Sequence, residues 1–169
     1  VLLEDGQLKA FGLTLVAGEG GLSRELATSR IQKPGLLLTG LLEELHSDRV
    51  QIFGAAEIGY LTSLDDSRLR MSLAVIEKVS VPAIVVTRGI EPPAFLTELC
   101  VRNNIPLFTT PRTSSVLIDG IGKFLEDRLA PTTTLHGVLV DVLGIGILII
   151  GKSGIGKSEA ALDLVSRGH

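Results

Sequence analysis

Ile145-Gly146-Ile147-Leu148-Ile149-Ile150-Gly151-Lys152-Ser153-Gly154-Ile155-Gly156-Lys157-Ser158 is the stretch that decides how this chain folds. Its first six residues form a short apolar run with the length of a buried strand. The next eight fit G-x-x-x-x-G-K-[ST] without a mismatch, and Ser158 to Val165 reads as a helix. The four fixed positions of that pattern arise by chance on the order of 1% of the time in a chain this long. A strand before and a helix after make coincidence rarer still. The order strand, glycine-rich turn, helix places a polyphosphate on backbone N–H groups at a helix N-terminus, where donors lack intrahelical partners and the dipole favours an anion. The glycines permit close approach and positive φ. Gly151, Lys152, Ser153, Gly154, Ile155, Gly156, Lys157 and Ser158 are therefore the candidate nucleotide-binding residues. Lys157 would reach the β/γ-phosphates and the Ser158 hydroxyl would ligate Mg²⁺. The plain alternative is a flexible Gly/Ser/Lys turn between two elements.

Working outward, the 169 residues are 45% hydrophobic and 21% charged, enough for a substantial core. The mean hydropathy is +0.41, but the apolar residues are dispersed. The longest run, Leu143 to Ile150, is too short for a membrane span. A net charge of −3 and 4% aromatic residues give no basic field or stacking platform for nucleic acid. The single cysteine, Cys100, excludes an internal disulfide and suits a reducing cytoplasm. It falls in the helical pattern Phe95 to Val101, where a small buried hydrophobe is expected rather than a nucleophile. No targeting segment is visible. Without an initiator Met, and with the helix after the glycine-rich loop meeting Gly168-His169, the chain reads as the front portion of a longer enzyme.

Upstream, strands are expected at Leu13 to Ala17, Val50 to Gly54, Ala83 to Thr87 and Pro106 to Thr109, with a short one at Glu25 to Thr28. Pro34-Gly35 opens a predicted helix with the face Leu37, Leu41, Leu42 and Leu45. Further helices are expected over Ala55 to Leu61, after the cap Asp65-Asp66-Ser67, after Glu91-Pro92-Pro93, and from Thr113-Ser114-Ser115 to about Leu129. Strands alternating with helices at this spacing give a mostly parallel α/β domain over 1–129. Residues 130–135, around Pro131-Thr132-Thr133-Thr134, read as a linker. Residues 136–169 read as the truncated start of a phosphate-loop (P-loop) nucleotide-binding domain, opening with a hairpin that turns at Gly144-Ile145-Gly146.

Several polar residues could carry chemistry. If 136–143 pairs antiparallel with 145–150, His136 starts beside the end of its partner, close to Gly151. There it could contact phosphate or handle a proton, or it could be a linker histidine at a strand edge. Asp141 could face solvent or line the nucleotide pocket. Arg88 to Pro93 follow a strand at its carboxyl end, a common ligand position in open α/β sheets, but a polar turn and a helix N-terminus explain every one of those residues, and the structural reading ranks first. Glu43-Glu44 and Asp65-Asp66 are explained by helix faces and caps. His46 and His169 have no comparable placement, and the three histidines show no metal-ligand spacing.

The run Leu135-His136-Gly137-Val138-Leu139-Val140-Asp141, together with the loop that follows, closely resembles the HPr kinase/phosphorylase family. Gly18-Glu19-Gly20-Gly21-Leu22, Lys33-Pro34-Gly35-Leu36, Arg49 to Gly54 and Thr87 to Pro93 look like that family's amino-terminal domain. The resemblance implies a bifunctional bacterial enzyme that phosphorylates a serine of the phosphocarrier protein HPr with ATP or pyrophosphate. It also implies the reverse activity, in which inorganic phosphate takes the phosphoryl group and pyrophosphate is released. A homohexamer acting in carbon catabolite regulation is implied as well. By matching position, His136 and Lys157 would be catalytic, Gly151 to Ser158 would bind nucleotide, and Ser158 would hold Mg²⁺. The family's acidic catalytic residue lies just after the point where this chain stops, so the 169-residue piece is expected to be inactive by itself. The competing assignments are a generic P-loop ATPase and a noncatalytic regulatory or oligomerisation module.

Overall fold

The computed structural model describes residues 9–39 and 45–168. Two compact units divide the chain, Val1–Ala130 and Pro131–His169. In the first, β1 (Thr14–Ala17), β2 (Ile31–Gln32), β3 (Val50–Phe53), β4 (Ile84–Val86) and β5 (Leu107–Thr109) form one sheet in the order β1-β5-β4-β3-β2. Pairings from β2 to β5 are parallel, and β1 runs antiparallel along β5 at the edge. This is the mostly parallel α/β architecture that the alternation predicts.

The parallel strands are apolar without interruption because both of their faces are covered. Successive side chains point to opposite faces. On one face Phe53, Ile84, Val86 and Leu107 pack with Leu61 of α1 (Ala55–Ser63), Ile76 of α2 (Asp66–Val79), and Leu96, Leu99 and Cys100 of α3 (Ala94–Arg102). On the other, Val50, Ile52, Val85 and Phe108 meet Leu117, Ile121, Phe124 and Leu125 of α4 (Ser114–Leu129). Each such side chain, taken fully out of water, contributes about 1.5–3 kcal/mol before chain entropy is charged against it.

Local signals set the helix ends. Asp65 caps α2, its Oδ1 accepting from the Ser67 and Arg68 amides at 3.0 Å each. The Arg68 amide, followed by the Ser67 hydroxyl, holds that carboxyl below its usual value. Gly54 precedes α1 and donates its amide to Glu57 Oε2 at 2.9 Å. Glu57 is buried and takes Lys33 Nζ at 3.4 Å, so the ammonium offsets the cost of a buried carboxylate. Pro93 starts α3, and Asn103 ends it with its Nδ2 donating to the Leu99 carbonyl.

Three of the upstream expectations are corrected here. Glu25 to Thr28 form no strand; the short strand is β2, six residues further on. The helix expected after Pro34 is a 3-10 turn, Gly35–Thr39, that buries Leu37 and Leu38. Leu41, Leu42, Glu43 and Glu44 lie outside the described residues, as does His169. Thr113 stands at the N-cap of α4, but its hydroxyl pairs with Ser115 Oγ rather than with a helix amide.

In the second unit, β6 (Gly137–Val142) and β7 (Ile145–Ile150) form an antiparallel hairpin followed by α5 (Lys157–Ser166). The hairpin turns at Leu143-Gly144, one residue earlier than expected. Both residues have positive φ, 56° and 80°, the sign a two-residue primed turn requires to match strand twist.

Candidate phosphate-binding loop

Between Ile150 and Lys157 the chain turns through two glycines in the left-handed region, Gly154 at φ 79° and Gly156 at φ 90°. Gly156 is the N-cap of α5, and its carbonyl accepts the first helical bond, from the Ala160 amide at 2.9 Å. The amides of Lys157, Ser158 and Glu159 therefore precede the first i→i−4 bond and remain available as donors. They open toward the loop, where the positive end of the α5 dipole adds to them. A backbone of this form, with φ > 0 at intervals, makes an anion concavity from its own N–H groups.

Lys157 Nζ donates to the Gly151 carbonyl at 2.8 Å and the Lys152 carbonyl at 2.7 Å. The ammonium is thus folded back across the loop rather than extended to solvent. Gly151 is tightly flanked: a Cβ there would come within 3.1 Å of Ile155 Cγ2. Ser153 and Ser158 are exposed. Ser158 lies in the first turn of α5 beside Lys157, so one cation and one hydroxyl stand at the same helix end.

The hairpin register decides between the possible roles of the two other polar residues. Gly137 pairs with Ile150. His136, exposed, therefore lies one residue outside the ladder, at the hairpin end from which the loop departs. Asp141 pairs with Gly146 at the opposite end, and its Oδ1 accepts from the Gly144 amide at 2.9 Å. Asp141 secures the hairpin turn, and the pocket alternative for it falls away. Among the described residues, no three His, Cys, Asp or Glu side chains gather in a group that would hold a metal ion. A hard divalent cation bound largely through phosphate oxygens and water needs only one or two protein ligands, which the Ser158 hydroxyl fits as one.

In the first unit, the segment after β4 is a tight turn. Arg88 and Gly89 both have φ 64°, and their amides donate to the Arg112 and Thr110 carbonyls at 2.8 Å. Backbone geometry thus accounts for this segment, as the structural alternative expects. Two features escape a reading of sequence pattern. Arg24 spans to Ser80, Val81 and Asn103, and Thr87 shares a hydroxyl contact with Ser114 at 2.9 Å. Each joins residues far apart in sequence, and neither has a local signal. Cys100 is fully buried, and desolvation pushes its thiol up to about 12.

No helix among the described residues is long and apolar enough to cross a membrane. A family model described as HPr Serine kinase N terminus matches residues 6–125, and one described as HPr Serine kinase C-terminal domain matches residues 127–169. An HPr kinase/phosphorylase of Geobacter sulfurreducens is 51% identical over 168 residues, covering 99% of this chain and 52% of that protein. An HPr kinase/phosphorylase 1 of Oceanobacillus iheyensis is 42% identical over 162 residues, covering 96% of this chain and 52% of that protein. The chain thus spans about half the length of the curated relatives it matches. Among solved structures, the CBS and DRTGG domains of the regulatory region of a Clostridium perfringens pyrophosphatase align over 70% of this chain and 45% of theirs. That alignment has 20% identity and a TM-score of 0.43, too loose to carry an argument.

Proposed function

This chain belongs to the HPr serine kinase family, and we propose on that premise that it is part of a bifunctional HPr kinase/phosphorylase whose phosphoryl chemistry is centred on Gly151 to Ser158. The observation that carries the proposal is the loop itself: left-handed Gly154 and Gly156, free amides at the start of α5, and the Lys157 ammonium drawn over the same backbone.

In the forward direction the serine oxygen of HPr forms a bond to the terminal phosphorus of ATP or pyrophosphate. The bridging P–O bond breaks, and ADP or orthophosphate leaves. The reverse direction uses orthophosphate to take the phosphoryl group from phosphoserine, forming pyrophosphate. Little covalent work falls to the protein, so positioning and charge stabilisation supply most of the rate. The amides at the head of α5 hold the non-transferred phosphate. Lys157 leaves the Gly151 and Lys152 carbonyls for phosphate oxygens, exchanging two neutral acceptors for charged ones. His136 contacts the phosphoryl group or relays a proton from the same end of the hairpin. Mg²⁺, held by the Ser158 hydroxyl and phosphate oxygens, would neutralise charge that develops during transfer.

The first unit carries no comparable constellation among its described residues and serves as a regulatory or assembly domain. The parent acts as a cytoplasmic homo-oligomer, a hexamer, with HPr as its protein substrate. Incubating the full-length parent with ATP and HPr, then locating the modification by mass spectrometry, tests the assignment. Phosphoserine on HPr supports it, whereas ATP hydrolysis without modified HPr would point to a generic P-loop ATPase.

A further inference from the structure

Lys157, Ser158 and Glu159 open α5. The phosphoryl chemistry employs the first two and leaves the third without a task. Glu159 is exposed, in the first turn of the helix. A carboxylate there has two ordinary duties, to offset the helix dipole and to accept the N-cap amide in a capping box. The second is not performed. Among the described residues, no hydrogen bond or ion pair holds the Glu159 carboxylate.

α1 provides the comparison within the same chain. Both helices begin with glycine at the N-cap and glutamate three residues later. In α1, Gly54 has φ −94°, and its amide donates to Glu57 Oε2 at 2.9 Å. In α5, Gly156 is left-handed at φ 90°. Glu159 Oε2 still folds back, to 3.1 Å from where a Cβ on Gly156 would stand, the same distance that Glu57 Oε2 keeps over Gly54. That fold-back finds no amide, because the left-handed residue turns its N–H out of reach. The geometry that shapes the loop therefore leaves an unpaired negative charge at the head of α5.

The neighbouring charges do not cancel it. Lys157 is bonded to the Gly151 and Lys152 carbonyls, Lys152 is exposed, and neither pairs with Glu159. One turn along, Asp163 is neutralised by Arg167 at 2.9 Å. In the ligand-free loop the Glu159 carboxylate balances the helix dipole. A bare polyphosphate brings several negative charges to the same amides and meets a like charge there. A polyphosphate carrying a divalent cation brings fewer, and the water on such a cation is a donor that a carboxylate can accept.

We propose that Glu159 is a specificity-determining residue of the loop, which admits polyphosphate carrying a divalent cation and disfavours the bare anion. This rests on the reading of Gly151 to Ser158 as a phosphate loop, and it adds discrimination by ligand charge to the binding roles given above.

The test is calorimetric titration of the intact parent with pyrophosphate, once in EDTA and once in excess MgCl₂. In Glu159→Gln the bare anion should bind about 5-fold more tightly than in the wild type, while affinity for the Mg²⁺ complex changes by less than about 2-fold. Asp163→Asn, on the same helix face one turn along, should leave both affinities unchanged. A purely helix-stabilising role has the opposite sign, since loss of a first-turn charge loosens the loop and weakens both ligands. An equal preference for the Mg²⁺ complex in wild type and Glu159→Gln, or weaker binding of the bare anion by the variant, would overturn the proposal. Lys157→Ala separates that failure from failure of the underlying reading. If it keeps wild-type affinity for pyrophosphate, the loop is not the phosphate site and both proposals fall. If it loses affinity while Glu159→Gln keeps the wild-type preference, only the role of Glu159 falls.

Discussion

Lys157 Nζ lies 2.8 Å from the carbonyl oxygen of Gly151, the first residue of the phosphate loop. A charged donor spends its bond on a neutral acceptor that a phosphate oxygen would outbid, since charge-assisted hydrogen bonds are roughly twice as strong as neutral ones. The loop is therefore closed by the group proposed to grip its ligand.

Replacement of that group separates catalysis from folding. In the full-length parent, Lys157→Ala should lower transfer to HPr by about 100-fold or more, through lost stabilisation of phosphate charge. The melting temperature should stay close to wild type, because Lys157 bonds only to loop carbonyls. Steady-state kinetics and a thermal melt check both halves, and kinase rates within a few-fold of wild type would remove Lys157 from the mechanism.

His136 is proposed to act on the chemical step, from its place beside the departing loop. His136→Ala in the parent should reduce kcat by at least about 10-fold while nucleotide KM changes only a few-fold. A rise in KM with kcat preserved would make it a ground-state contact.

Gly18 and Gly89 share a positive φ, 73° and 64°, but only Gly18 is crowded. Gly89→Ala meets nothing within 4 Å and should cost about 1 kcal/mol for its backbone conformation alone. Gly18→Ala drives a methyl into the Ile105 carbonyl and should cost about 3 kcal/mol or more. Urea unfolding of the 169-residue chain, read as paired midpoints at constant slope, compares the two. Equal costs would mean that the loop does not press on residues 104–106 as described.

The Cys100 thiol, raised to about 12 by burial, should not react with a thiol reagent at pH 8 until the protein unfolds. Its effect on stability has a definite sign. The unfolded thiol ionises near its ordinary value of 9.0, while the folded one keeps its proton. Stability from this group is therefore complete below about pH 9 and is lost as pH rises toward about 12. Cys100→Ala should flatten that alkaline decline in a series of urea midpoints, and an unchanged decline would assign it to other groups.

What could be read from sequence follows the range of the forces involved. Val50 to Phe53 and Ile84 to Val86 are legible because strands covered on both faces must be apolar throughout, and a Gly or Pro flank marks their ends. The Asp65 cap and the phosphate loop are equally local, each set by a few adjacent residues. β2 was displaced because a two-residue strand has no periodicity, and the apparent strand at Glu25 to Thr28 is a loop fastened through Arg24 to residues 56 to 79 positions away. Asp141 illustrates the same limit within a hairpin. Alternation permits solvent or pocket, and the outcome rests on a single bond to the Gly144 amide. His136 gained its position from the register Gly137 to Ile150, which the apolar pattern implies only after the turn is placed correctly. The partition of α1, α2 and α3 to one face and α4 to the other is a property of chain path that composition does not encode.

Crystals of the intact parent soaked with pyrophosphate test the central claim most directly. Density should lie against the amides of Gly154 to Ser158, with the Lys157 ammonium withdrawn from the Gly151 carbonyl and bonded to the anion. An empty loop, with Lys157 still on that carbonyl and pyrophosphate ordered elsewhere on the protein, would contradict it.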